Sequence, residues 1–408
     1  MQVVVVALSV PLQPFGVVVD ACPLGGSTFG ATRDHTLTSL GLVPPTQKTP
    51  PSSLVVGPAL VLSDELWVTR RALRAFLKAS SSSSGPVRLA LPPSRLLELT
   101  LPLQDVDDDD GRAVFPCAFV PAGVTVTAAE ALAAPGIAIA YNEIPVVLPV
   151  PRVLLGREEA TTTWPLTSTV ALRVRHWVHV LRASHLAPQV WLIERALADP
   201  LRSAARAAWG FRFDKTARFL SWKRRFVFRG KNTNIHPSAV VEASVIGDDV
   251  VIEPQAVVLQ SVIGDGCVIE QRAHVAQSTL GARTFVSLNS SMQACCTFAD
   301  ADACANNLQA CVVGARSGLT SFARALDTVM GGEVRVDDGG VLRPVGELPC
   351  GVAFGPGSFV GANVTIAAGR AVPAGVRLLG SPQGLLRRVG SEAPGTFVVD
   401  DGGLRSAD

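Results

Sequence analysis

At 408 residues, with 48% apolar and only 17% charged residues, the chain is long enough for two or three domains and too apolar for wholesale disorder. Its 36 Lys and Arg nearly balance 34 Asp and Glu, so the formal charge is +2 and no global field points to nucleic acid. Neither a charged start with a small-residue cleavage site nor an apolar run long enough to span a bilayer is read, and a cytoplasmic location is expected.

Residues 1–165 read as a small α/β domain. Val3 to Val6, Gly16 to Val19 and Ala59 to Asp64 are strand-like apolar runs, and from Val68 to Lys78 apolar residues recur at helical spacing after Thr69 as a cap. Serines 80–84 and a strand from Val87 to Leu91 complete a strand-helix-strand unit. The acidic run Asp105 to Asp110, broken only by Val106, is expected to be a solvated loop rather than a metal site.

Residues 166–231 read as a helical linker. From Val190 to Lys231 eleven Lys and Arg stand against three acids, interleaved with Trp191, Trp209, Phe211, Phe213, Phe219, Trp222, Phe226 and Phe228. Such a segment suits a cap on the end of the following domain, and basic residues mixed with aromatic ones also suit peripheral contact with an anionic membrane. His176 and His179 share a helical face near His185, but no third ligand is evident and a structural role is expected.

Residues 232–390 carry an internal repeat. Ser244-Val245-Ile246-Gly247 returns as Ser261-Val262-Ile263-Gly264 and as Ser278-Thr279-Leu280-Gly281, a period of 17. Three apolar columns keep that spacing: Ile235, Ile252, Ile269, Val286; Val241, Val258, Val275, Met292; and Ile246, Ile263, Leu280. Small residues, Ala239, Ala256, Ala273 and Ser290, stand four positions after the first column. A period near 17 divided in three predicts a triangular coil with short strands as its sides, each inward side chain stacking on its equivalent one coil away. The pattern weakens after Met292, recovers at Cys311 to Gly314, breaks over an inserted loop at 315–349, and resumes at Phe354, Val360, Ile366, Val372 and Leu378. About six coils are expected, with a tail at 391–408. Cys267, Cys295, Cys296, Cys304 and Cys311 sit among small residues as compact core groups, and with no Cys-x-x-Cys spacing no metal is expected.

These repeats, with Val360-Gly-Ala-Asn-Val-Thr-Ile-Ala-Ala-Gly as a clear instance, resemble the hexapeptide-repeat transferase superfamily, whose fold is a left-handed parallel β-helix. Gly380-Ser-Pro-Gln-Gly-Leu-Leu-Arg387 resembles the closing segment of its acyltransferases. The resemblance implies a homotrimer that moves an acyl group from acyl-CoA to a small sugar-derived or amine acceptor, with a histidine as general base. It places Asn363, Gly380, Ser381, Pro382 and Arg387 at the co-substrate. Of the two histidines in the repeats, His236 lies in an opening turn, whereas His274 precedes inward Val275, so alternation aims it outward as the candidate base. A three-histidine zinc site, as in β-helical carbonic anhydrases, cannot be built from two histidines.

An α/β domain joined by helices to such a β-helix also resembles the layout of sugar-phosphate nucleotidyltransferases. Pro23 to Arg33 is the nearest counterpart of their glycine-rich phosphate loop, in a different order, and Asp64 is placed like their metal-binding aspartate. The alternative functions are therefore a divergent or inactive nucleotidyltransferase-like protein and a non-catalytic β-helix scaffold.

Overall fold

The computed structural model describes residues 1–149, 161–198, 201, 226–329, 332–380, 397–400 and 403–406. An α/β unit with a mixed sheet is followed by a parallel β-helix, the fold class read from the repeats.

The sheet orders its main strands Gln2–Val6, Ala59–Ser63, Arg112–Val120, Val87–Leu91, Gly136–Ala138. The first two are parallel, and Arg112–Val120 runs antiparallel between Ala59–Ser63 and Val87–Leu91. The strand-helix-strand unit is therefore present, but its strands are not neighbours. Helix Arg70–Ser80 covers one side, where Leu73 and Phe76 pack on Leu60, Leu62 and Phe115, and Ala128 and Ala131 cover Val4, Val61 and Ala118 on the other. Thr69 precedes that helix, but its hydroxyl donates to Ser168 O at 2.7 Å instead of capping it, tying the helix start to the strand Ala171–Arg173. Gly16 to Val19 forms no strand. Val17 only closes a tight loop with Leu12, and Val19 enters a 3-10 turn, because its apolar side chain is buried by a core to which loops contribute.

In the β-helix, two faces carry eight strands each. The first face starts at Phe228–Arg229, the second at Asn234–Ile235, and the third at Val240–Glu242. Among the described residues eight coils are present, more than the six expected from the sequence, because coils begin before the first obvious repeat and continue through weak ones. Register is fixed at 17 by Ile235↔Ile252, Ile252↔Ile269 and Ile269↔Val286, and by Val241↔Val258 and Val258↔Val275. From Met292 the spacing drops to 16, with Met292↔Leu308 and Ala303↔Leu319. One residue fewer in a coil is why the pattern weakens there.

The recurring Ser of the tetrad has a role invisible to hydropathy. Ser244, Ser261 and Ser278 are fully buried, and each hydroxyl donates to the carbonyl two residues earlier while accepting the amide of its equivalent one coil on, at 3.0–3.1 Å. A buried hydroxyl is tolerated because both its capacities are used. Cys295 and Cys311 continue the column, their thiols donating to Gln293 O and Gln309 O.

Helix Trp177–Ala198 lies between the units. Its buried residues Val178, Leu181, Leu186 and Val190 share one core with Leu24, Phe29 and Leu172 of the α/β unit and with Cys296, Val312 and Ala353 of the first face. Phe15 meets Phe298 at 4.7 Å between ring centroids. The first face is thus covered, and the described residues leave the second and third open.

Candidate functional site

The C-terminal ends of parallel strands are where open α/β sheets bind ligands. Here that crevice, after Gln2–Val6 and Ala59–Ser63, is filled by the chain itself. Asp64 Oδ1 accepts the amides of Leu8 and Ser9 at 2.9 and 2.8 Å, and Oδ2 accepts the Ser9 hydroxyl at 2.6 Å and Lys48 Nζ at 2.8 Å. The same ammonium lies 2.9 Å from Asp20 Oδ2, and Arg33 holds the other oxygen of Asp20 at 2.7 Å. Burial opposes ionisation of Asp64, yet the Lys48 ammonium, the Ser9 hydroxyl and the two amides outweigh it and hold its pKa below the usual carboxylate value. A carboxyl depressed in the folded state stabilises above its unfolded pKa of about 4 and loses that contribution as pH falls through the folded value. Asp64→Asn should therefore cost roughly 2 kcal/mol at neutral pH in urea unfolding, with the gap to the parent protein closing below about pH 4.

The glycine-rich segment is also closed. Gly25 and Gly26 have φ of +58° and +82°, and a Cβ at either would meet Trp191 at 2.9 Å or Val262 at 3.0 Å. These glycines let a hairpin tip wedge between the long helix and the first face. They do not cradle a phosphate.

The two-histidine face is tied to the backbone around it. His179 Nδ1 accepts the amides of Arg175 and His176 at 3.0 Å, Nε2 donates to Pro102 O at 3.0 Å, and burial pushes its pKa down to about 3. His185 Nε2 donates to Ala294 O at 2.8 Å. No group of three metal-ligating side chains occurs among the described residues. The acidic run is a hairpin, Asp107–Asp109 pairing with Arg112–Val114, and Asp105 and Asp107 reach Arg343 and Arg88. Of the basic-aromatic segment, Trp191 packs toward Gly25 and Arg195 stacks over Phe228 at 4.9 Å, while 202–225 lie outside the described residues. Among the described residues no helix is long and apolar enough to cross a membrane.

On the β-helix, His274 sits on the third face, paired in register with Val257 and Ser291, and is half-buried. Its ring makes no hydrogen bond to the described residues, in contrast to His236, whose Nδ1 lies 2.8 Å from the Ser238 hydroxyl. Asn363, at φ +62°, and Gly380 come together at the corner after the second face, where a Cβ at 380 would stand 2.7 Å from Ala362 O and 3.8 Å from Asn363 Cβ. Ser381, Pro382 and Arg387 lie outside the described residues. His274 belongs to the third coil, Asn363 and Gly380 to the seventh and eighth. At ~4.8 Å per coil they are about 20 Å apart along the axis and on different faces.

A groove lies on the second face that the repeat pattern does not announce. The outward residues Phe285, Asp302, Gly318, Phe359 and Arg377 line up on the second face, and with Arg316 they bound a cavity of about 470 Å³. At Gly318 the Phe359 ring lies 3.3 Å from where a Cβ would be. Phe285, Asp302, Gly318, Phe359 and Arg377 each directly precede an inward apolar residue, which is the signal the sequence offers once the 16-residue coil is allowed for.

No family model and no curated protein matches this chain. Among solved structures it is similar to a Bacillus cereus protein provisionally described as an acetyltransferase, at 15% identity and TM-score 0.19, over 38% of this chain and 74% of that one. It is also similar to GDP-perosamine N-acetyl transferase from Caulobacter crescentus, solved with CoA and GDP-perosamine, at 21% identity and TM-score 0.12, over 37% of this chain and about half (54%) of that one. At these values the likeness adds nothing to the argument about activity, and the parallel β-helix stands on the register of its own strands.

Proposed function

We propose that the chain transfers an acyl group from acyl-CoA to a sugar-derived or amine acceptor on the open faces of its β-helix, working as a homotrimer. The observation that carries this reading is the division of the molecule's surfaces: the α/β crevice is filled by Lys48 and the first face is covered, whereas among the described residues the second and third faces present a half-buried imidazole with no hydrogen-bond partner and a charged groove. Leu288 and Phe322, 41% and 59% exposed at the corner those faces share, suit packing against a second and third copy. With that corner on a threefold axis, the second face of one copy meets the third face of the next. His274 then serves a groove it does not itself line.

In the reaction, the acceptor nitrogen or oxygen attacks the thioester carbonyl carbon while His274 takes its proton. The tetrahedral intermediate collapses with cleavage of the C–S bond, and the CoA thiolate leaves and is protonated. The groove holds the distant end of the donor, and Asn363 and Gly380 stand at the corner that follows the same face. A donor that reaches from that corner to His274 must be long and extended, which acyl-CoA is.

Acetyl-CoA is expected to raise the unfolding midpoint with increasing concentration, by the equivalent of about 2.7 kcal/mol at a hundredfold excess over its dissociation constant, with nucleotide sugars alone giving no shift. A shift with nucleotide sugars and none with acetyl-CoA would move the activity to the α/β unit.

A further inference from the structure

The chain between the sixth and seventh coils leaves the β-helix and crosses back onto the α/β unit. Within it, Arg335–Asp338 and Val341–Pro344 form a hairpin, and Val334, Val336 and Val345 enter the core shared by both units. Its rim is held by polar contacts. Glu347 takes both terminal nitrogens of Arg95 at 3.0 and 2.8 Å, Arg343 reaches Asp105 at 3.0 Å, and His176 Nε2 donates to Asp337 O at 3.1 Å.

Beneath it lies Arg182, 2% exposed. Its Nη1 and Nη2 donate to the carbonyls of Pro349 and Leu348 at 2.9 and 3.1 Å, and its Nε has no partner. Among the described residues no carboxylate pairs with it. A buried cation satisfied by backbone carbonyls alone keeps much of its desolvation cost, which water would remove on opening. The segment is thus closed over a group that gains from being uncovered. Cys350, fully buried at its end, joins it to the seventh coil, which carries Phe359 and Asn363.

We infer that residues 332–349 are a latch that opens as a unit while the coils stay folded, uncovering Arg182 and Cys350. Such local opening begins where attachments are partly exposed, as the Arg95–Glu347 and Arg343–Asp105 pairs are, and its cost is set by the three valines it would withdraw from the core. The inference is independent of whether the outer faces transfer acyl groups.

The test is native-state alkylation of the full chain with N-ethylmaleimide, mapped by mass spectrometry, together with hydrogen exchange. Cys350 should label in the native protein while Cys267 and Cys295, inside the coils, remain unlabelled. Glu347→Gln, which removes the charge on a partly exposed pair, should speed Cys350 labelling and exchange of the Val345 amide by roughly threefold, leaving Ile263 and Ile269 unchanged. Labelling of all three cysteines at one rate would show that only global unfolding uncovers Cys350 and would overturn the latch. So would a Glu347→Gln protein whose latch exchange equals the parent's. An Arg95→Gln protein provides the same reading from the other side of the pair.

Discussion

His274→Ala should lower the turnover of acyl transfer by about a hundredfold to ten-thousandfold, with the apparent affinity for acyl-CoA within about twofold of the parent. The side chain is outward on a flat face between Val257 and Ser291, so its removal leaves no cavity in the stacked interior, and the melting curve should be unchanged. His274→Gln keeps size and hydrogen bonding without basicity and should be nearly as slow. A loss that appeared in the affinity for acyl-CoA alone would mean that the ring binds the donor and takes no proton.

Gly264→Ala should destabilise the protein by about 2–3 kcal/mol, a large effect for one methyl group. Glycine recurs at the end of the first-face strands because the next coil passes directly beneath. A Cβ at 264 would lie 2.7 Å from Ala282 N and 2.8 Å from Gly281 C and Leu280 O, all backbone atoms that a rotamer change cannot move. Gly247, Gly281, Gly314 and Gly355 meet equivalent backbone or adjacent side-chain atoms at 2.3–2.5 Å. Gly85→Ala is the control, since nothing lies within 4 Å of its Cβ, and it should be neutral or slightly stabilising. Urea unfolding of both variants measures the difference. Equal midpoints would mean that the coils are not stacked at the register given by Ile246↔Ile263 and Ile263↔Leu280.

The β-helix was legible because its cause is periodic. Any residue 17 positions from an inward apolar one is inward too, so Ile235, Ile252 and Ile269 announce a stack without knowledge of contacts. The same logic reached His274, whose outward orientation follows from alternation with Val275. It stopped at Met292, where one residue is lost at a corner and every later column shifts, which hid the groove from Phe285 to Arg377. The α/β unit was legible only element by element. Ala59 to Asp64 and the helix up to Ser80 announce themselves, but nothing local says that Arg112–Val120, some 50 residues on, inserts beside the first strand pair. Lys48 gave no signal at all, because it stands in a proline- and threonine-rich stretch and its meaning lies in meeting Asp20 and Asp64 in space.

The measurement that bears most directly on the account is hydrogen exchange of the full chain with and without acetyl-CoA. Protection is expected on the open faces, around His274 to Gln277 and from Gly357 to Asn363, with no change at Leu8 to Asp20 or at Lys48 to Asp64. Protection confined to the α/β crevice, with the β-helix faces exchanging as in the free protein, would contradict it.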